Sequence, residues 1–324
     1  MTRPPGAGAA PEDDVRRRAP RLDAAGGVPH PLRMPSDWTV ASETGRLADV
    51  LVCPPAHYRW IPTNAVARRT LAAAGGAQPP AEALTAQHRE LTHALAQAGA
   101  TVHVLPPEPH LPYMAYTRDS VVVTHRGPVL CQLERPQRRG EYAHLLDWHA
   151  ARGSAFWRKS SAGTLEGGDV HLIRPGLAVV GASGGRTDAA GAEQFAGWLR
   201  AEGWEVRVEP FDEHFLHLDL LFCMAAPGLA VACPDALDEG FLAWLRERGI
   251  RCLPVPYREA MALGCNILSL GGGRLVSARA GRDLNAALRA EGLTVLDPEL
   301  SLFTAGGGGP HCLTCPLRRV EPDR

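Results

Sequence analysis

The chain has 324 residues, 45% of them hydrophobic, which is enough apolar material for a buried core in one large domain or two small ones. Lysine plus arginine (34) nearly cancels aspartate plus glutamate (35), so there is no basic field to collect a phosphate backbone, and nucleic acid is not an expected partner. No run reaches the roughly 18 apolar residues of a membrane span and no apolar signal core opens the chain, so a cytoplasmic protein without membrane engagement is expected.

Residues 1 to about 45 are rich in Pro, Gly and Arg, include the run Arg16, Arg17, Arg18, and show no sustained periodicity. Such composition buries too little apolar area to offset ordering entropy, so a loosely held tail is expected there and one folded domain over 46–324. From residue 48 onward a unit repeats. The strand-like ADVLVCPP, the amphipathic LTAQHRELTHALAQA, Gly99 and ATVHVLP form its first copy. Asp119 before SVVV, Asp169 before VHLI, Asp219 before LLFC and Asn266 before ILSL then open apolar stretches spaced by 50, 50 and 47 residues. Each stretch meets a glycine turn (Gly127, Gly176, Gly228, Gly272) and continues as a second apolar strand, the signature of a hairpin. A helix follows (EYAHLLDWHAAR, AEQFAGWLRAE, GFLAWLRER, LNAALRAE), closed by Gly153, Gly203, Gly249 or Gly292 in a position suited to a left-handed cap. A third strand comes next, clearest in WEVRVEPF, IRCLPVP and LTVLDP.

Five such units predict an α/β fold, a fivefold pseudo-symmetric ββαβ propeller in which closure removes sheet edges. A doubly wound parallel sheet accounts less well for such regular hairpins. In the ring the equivalent strand starts converge near the axis, which gathers Asp119, Glu166, His217, Asp219 and the glycine-rich C-terminal segment in one pocket.

Six of the eight cysteines (Cys53, Cys131, Cys223, Cys233, Cys252, Cys265) sit in or beside apolar runs and read as packing residues. Cys312 and Cys315 differ, because they follow four glycines in TAGGGGPHCLTCPLRR, residues 304–319. Consecutive glycines let backbone approach a ligand closely, and a cysteine directly after them is a nucleophile candidate. Two readings compete: a zinc site with His311, which lacks a second ligand pair, and a redox CxxC, which lacks the surrounding strand and helix. In TLEGGDVHL the two glycines allow Glu166 to face the cavity; an ordinary turn is the alternative. In HFLHLDLLF, His217 and Asp219 at i and i+2 project from one face of a strand and are costly to bury without partners. A satisfied core histidine competes with that reading, as a surface pair with Arg118 does for Asp119 in AYTRDSVVV.

Together TRD, EGGD, HLD and the glycine loop before cysteine, in this order over residues 48 to 319, resemble the guanidino-group-modifying enzymes: arginine and agmatine deiminases, dimethylarginine dimethylaminohydrolase and the amidinotransferases. Their fold is the fivefold propeller. The resemblance implies that Cys312 is the nucleophile and His217 the general acid and base. Glu166 then orients the histidine or contacts the guanidinium, which Asp119 and Asp219 grip, and Arg138 and Arg186 anchor a substrate α-carboxylate. A guanidinium is planar, permanently charged and rich in paired N–H donors, which suits several carboxylates at one site. Thiolate attack, protonation of the leaving nitrogen and hydrolysis of an S-amidino adduct need no metal and no organic cofactor. EGGD favours a hydrolase, whereas HCLTCPLRR is close to the amidinotransferase terminus and keeps transfer to an amine as the alternative. Tyr113 stands where the dimethylarginine enzymes carry a carboxylate, and Asp219 matches the deiminases, so arginine or a close derivative is the expected small-molecule partner. A ribosome-binding protein shares the propeller without catalysis, so the fold alone does not establish an enzyme.

Overall fold

The apolar runs of the repeat are strands in the computed structural model, which describes residues 1–2 and 38–321. Strands β1 (Arg46–Val52) and β2 (Thr101–Val104) pair in parallel around the helix Ala81–Gln97. The next unit holds β3 (Val121–Thr124), β4 (Gly127–Leu130), the helix Glu141–Ala150 and the short β5 (Arg158–Lys159). It is followed by β6 (Val170–Arg174), β7 (Leu177–Ala182), the helix Ala189–Ala201 and β8 (Glu205–Pro210). Then come β9 (Phe222–Ala226), β10 (Leu229–Ala232), the helix Glu239–Glu247 and β11 (Arg251–Pro254). The last full unit is β12 (Leu268–Gly271), β13 (Arg274–Val276), the helix Arg282–Ala290 and β14 (Thr294–Leu296), and β15 (Cys315–Val320) ends the described chain.

Among the described residues these strands form five three-stranded sheets with one shared plan. The central strand pairs antiparallel with one neighbour and parallel with the other. A hairpin supplies the antiparallel contact and a helical crossover the parallel one. The first unit lacks a hairpin partner of its own, and β15 supplies it by running antiparallel to β1, from Arg46 opposite Val320 to Leu51 opposite Cys315. The expected α/β architecture of repeated ββαβ units is therefore present. The cap glycines Gly99, Gly153, Gly203, Gly249 and Gly292 all have φ between 65° and 84°, the left-handed value that lets each helix turn into its strand.

Three features differ from the sequence expectation. The stretch 38–45, assigned to the tail by composition, is held on the fold: Val40 donates to Thr124 O (3.1 Å), Glu43 to Leu172 O (2.7 Å), and Val40 and Glu43 are buried. Residues 3–37 of the expected tail, including Arg16 to Arg18, lie outside the described residues. The helix Ala65–Ala73 stands outside the repeat; Asn64 caps it by accepting from Ala67 N at 2.7 Å. Finally, His217 and Asp219 do not share a strand face. His217 precedes a 3-10 turn, Leu218–Leu220, and Glu166 likewise precedes one at Gly167–Asp169. Among the described residues, no helix is long and apolar enough to cross a membrane.

Candidate active site

The two 3-10 turns lie against each other because glycine occupies the contact. A Cβ on Gly168 would sit 2.6 Å from His217 Nδ1, and one on Gly167 would sit 2.0 Å from the carbonyl oxygen of Arg118. With no side chain there, the His217 ring closes onto Glu166, Nε2 to Oε2 at 2.8 Å. Glu166 is fully buried and also accepts from Arg186 Nη1 (3.2 Å) and from the Glu134 backbone N–H (3.0 Å). Burial opposes its ionisation, but Arg186 and His217 outweigh burial and hold the carboxyl well below its usual range. Burial also opposes charge on His217, yet Asp119, Asp169 and Glu166 prevail and raise it to about 10, so the ring is an imidazolium at neutral pH. Asp169, whose Oδ1 accepts from Leu218 N at 2.8 Å, is itself pushed up by burial to about 7.

Asp119 Oδ2 accepts from Arg138 Nη1 at 2.5 Å, while its Oδ1 is buried, has no hydrogen-bond partner and lies 3.7 Å from His217 Nδ1. Arg138 does not fit the role of carboxylate anchor. Its guanidinium is 2% exposed and fully engaged by Asp119, both oxygens of Glu141 and the carbonyls of Tyr113 and Tyr116. Helical spacing explains this: Arg138 and Glu141 stand at i and i+3 at the start of a helix and close on each other. Arg118 does not pair with Asp119 either; its Nε donates to His311 O at 3.3 Å.

The glycine run carries Cys312 into the same region. A Cβ on Gly308 would lie 2.3 Å from the Tyr116 ring and one on Gly306 would lie 1.8 Å from Tyr58 Oη, so the loop packs flush on a tyrosine cluster. Asn266 then collects it: Oδ1 accepts from the backbone N–H groups of Gly309, His311 and Cys312 (3.1, 3.1 and 3.3 Å), and Nδ2 donates to Cys312 Sγ at 3.1 Å. The thiol lies 3.2 Å from Asp219 Oδ2, and Asp219 Oδ1 is another buried oxygen without a partner. Burial, with Asp219 and Asp119 adding to it, raises the Cys312 thiol well above its ordinary value. Asp219 is held ionised; burial opposes this, and the bond to His311 Nδ1 (2.8 Å) dominates the opposing influences. Cys315 faces the core from β15, its Sγ against Val121 O at 3.3 Å, so the two cysteines do not form a pair.

Arg186 is the predicted anchor that reaches open space. It lines a cavity of about 370 Å³ together with Asn64, Arg68, Arg135, His214 and Glu213. That cavity borders the catalytic candidates through Arg186 on Glu166 and through Asn64, which donates to Gly306 O at 3.1 Å. Two groups of donor atoms are close enough to consider for a metal: Asp119, Glu166 and His217, and, deeper, His171, Cys223 and His311. In the first, Arg138 and Arg186 pair with the two carboxylates and His217 Nε2 is bonded to Glu166; in the second, both His311 nitrogens face carboxylates; each group has three donors, and neither makes the four-ligand set of a structural zinc. Sequence reasoning missed Asn266 as a site residue, although it stands at the repeat position occupied elsewhere by Asp119, Asp169 and Asp219. It also missed Glu43, for which the sequence carries no signal.

The family described as "N,N dimethylarginine dimethylhydrolase, eukaryotic" matches residues 67–319. The Bacillus subtilis protein YkgA, itself uncharacterized, is 29% identical over 282 residues, covering 86% of this chain and 95% of its own length. An arginine deiminase of Rhodococcus opacus is 31% identical over 249 residues, 64% of this chain and 60% of that protein. The N-terminal domain of ArgZ, a cyanobacterial arginine dihydrolase solved with its product, superposes with a TM-score of 0.73 at 24% identity, over 85% of this chain and 99% of that one. Likeness at that identity shows a shared fold.

Proposed function

The chain belongs to the N,N-dimethylarginine dimethylhydrolase family, enzymes that hydrolyse C–N bonds of linear amidines, and from that premise we propose that it is a cysteine-dependent hydrolase of the guanidinium group of arginine or a close derivative. One observation carries the reading: beside the Cys312 thiol, two buried carboxylates, Asp119 and Asp219, each keep one oxygen without a hydrogen-bond partner. A buried carboxylate oxygen without a donor is costly, and a planar cation with paired N–H donors relieves both at once. Binding of that cation also offsets the charges that raise the thiol, so the substrate itself promotes thiolate formation, with the thiol proton released to solvent. The thiolate attacks the guanidinium carbon, and the His217 imidazolium donates its proton to the departing nitrogen, which leaves as ammonia. Neutral His217 next takes a proton from water; the hydroxide adds to the S-amidino carbon, the C–S bond breaks and a ureido product such as citrulline departs. Glu166 holds the histidine in place, and Arg186 reaches the cavity in which the amino-acid end of the substrate would lie.

The five like sheets, with β15 completing the one that β1 begins, support a closed ring of five blades around this site. Tyr113, at the position where the resemblance puts a carboxylate in the dimethylarginine enzymes, favours arginine over its dimethyl form: it is buried, and its hydroxyl bridges the Ile61 backbone N–H and carbonyl (3.0 Å each). The family description favours a methylated arginine as the second reading. The test is incubation with arginine, and separately with dimethylarginine, without any amine acceptor. Steady release of citrulline and ammonia, an S-amidino adduct on the Cys312 peptide, and loss of turnover in Cys312→Ser but not Cys315→Ser are expected. Turnover that survives Cys312→Ser refutes the nucleophile. A single-turnover burst of ornithine that resumes on addition of glycine makes the protein an amidinotransferase.

A further inference from the structure

A buried row of titratable groups leads from Glu43 to Asp219 beside the nucleophile, and its members Glu43, His171 and His311 have no part in the proposed reaction. It begins at Glu43, in the segment before β1, whose backbone N–H is tied to Leu172 O at 2.7 Å. The Glu43 carboxylate spans two imidazoles: Oε2 lies 3.3 Å from His171 Nδ1 and Oε1 lies 3.3 Å from His311 Nε2. The two rings are nearly parallel, 17° apart, with centroids separated by 5.4 Å. His311 passes the row onward through Nδ1 to Asp219 Oδ2 at 2.8 Å, and that same oxygen lies 3.2 Å from Cys312 Sγ. Glu43, His171, His311 and Asp219 are all less than a tenth exposed.

The stereochemistry of His311 is informative. A neutral imidazole has one donor and one acceptor nitrogen, whereas each nitrogen of this ring faces a carboxylate oxygen, which can only accept. Both contacts are satisfied together only by the doubly protonated ring. We propose that Glu43, steadied by His171, is a positioning residue that keeps His311 as an imidazolium next to the nucleophile, so that His311 occupies one oxygen of Asp219 and tempers its charge on the Cys312 sulfur. The inference rests on Cys312 being the nucleophile.

Two consequences follow for the site. With Oδ2 committed to His311, Asp219 presents Oδ1 alone to a guanidinium, which fixes the carboxylate's orientation. The sulfur faces a carboxylate already paired with a cation, which lowers the cost of a second negative charge 3.2 Å away. Burial opposes the ionised form of Glu43, yet His171 and His311 outweigh it and hold the carboxyl well below its usual range, as the assignment requires. The other charged or titratable groups around Glu43 and His311 are Cys223, whose sulfur shares a pocket of donor atoms with both histidines, Arg118, which donates to the His311 carbonyl, and Arg319, which lines one small cavity with Glu43 and Arg118.

The variant that tests this is Glu43→Gln, which keeps the shape and removes the charge. It is expected to fold, to lower kcat for arginine at least about tenfold with KM within about twofold, and to move the pH profile of Cys312 alkylation by iodoacetamide upward by about one unit, since one unit is a tenfold change in thiolate fraction. A folded Glu43→Gln protein with unchanged kcat and alkylation profile overturns the proposal. Should the variant fail to fold, ¹⁵N-histidine NMR of the unaltered protein decides: His311 doubly protonated near neutral pH supports the assignment, and a neutral His311 overturns it. These readouts are distinct from the nucleophile test, because turnover in Cys312→Ser tests Cys312 alone, while the charge of His311 is read without turnover.

Discussion

Gly168→Ala is the sharpest probe of how the backbone sets His217, the proposed acid and base. The substitution adds one methyl group at a residue whose φ lies outside the left-handed region, so backbone strain does not contribute. The new Cβ would stand 2.6 Å from His217 Nδ1, 2.7 Å from Cγ and 2.9 Å from Cβ. Ordinary contact begins near 3.4 Å, so the ring or the turn must yield by roughly 0.8 Å, a shift comparable to the ~1 Å misplacement that costs about 100-fold in rate. The ring has little room to move, because Nε2 is held by Glu166 at 2.8 Å and Nδ1 faces Asp119 at 3.7 Å. Overpacking of this kind also costs roughly 1–3 kcal/mol of stability. Citrulline formation and thermal melting measure both effects. Gly197→Ala is the control: that glycine is exposed within the helix Ala189–Ala201, a Cβ there meets nothing within 4 Å, and replacing it is expected to stabilise by roughly 0.5–1 kcal/mol with turnover intact. A Gly168→Ala enzyme with unaltered kcat would refute the reasoning.

Arg138→Met separates a structural ion pair from a substrate anchor: it strands Asp119 and Glu141 as unpaired buried charges, so a stability loss of roughly 3–5 kcal/mol is expected in denaturant melts, whereas an anchor would raise KM and leave stability untouched. His217 makes stability depend on pH in the alkaline range. Its folded value of about 10 lies above an unfolded value of about 6.5, so its contribution is complete below about pH 6.5 and is lost as pH rises through about 10. Asp169, raised to about 7, exhausts its own contribution by about that pH, and the buried thiols of Cys131, Cys223 and Cys265, which burial raises, add a slope only once unfolded cysteine ionises near 8.5, so urea melts between about pH 7 and 8 read His217; an equal slope there in His217→Asn would contradict the assignment.

Much of this protein was legible in one dimension because its information is local and repeated. The period of about 50 residues, the hairpin glycines and the cap glycines reflect short-range backbone geometry, so the strands and helices of four units, and the α/β class, could be read directly. The same repeat marked Asp119 and Asp219, and the segments EGGD, HLD and HCLTC marked Glu166, His217 and Cys312, because side-chain types that are costly to bury stand out within apolar runs. Tertiary structure decided the rest. It joined β15 to β1, strands that pair from Arg46 with Val320 to Leu51 with Cys315 at opposite ends of the fold's sequence, turned Arg138 inward onto Glu141, and recruited Glu43 from a segment whose composition resembled a tail. No local pattern encodes those choices: which charge meets which is settled only when packing removes water and every buried ionic group must find its partner within about 3 Å.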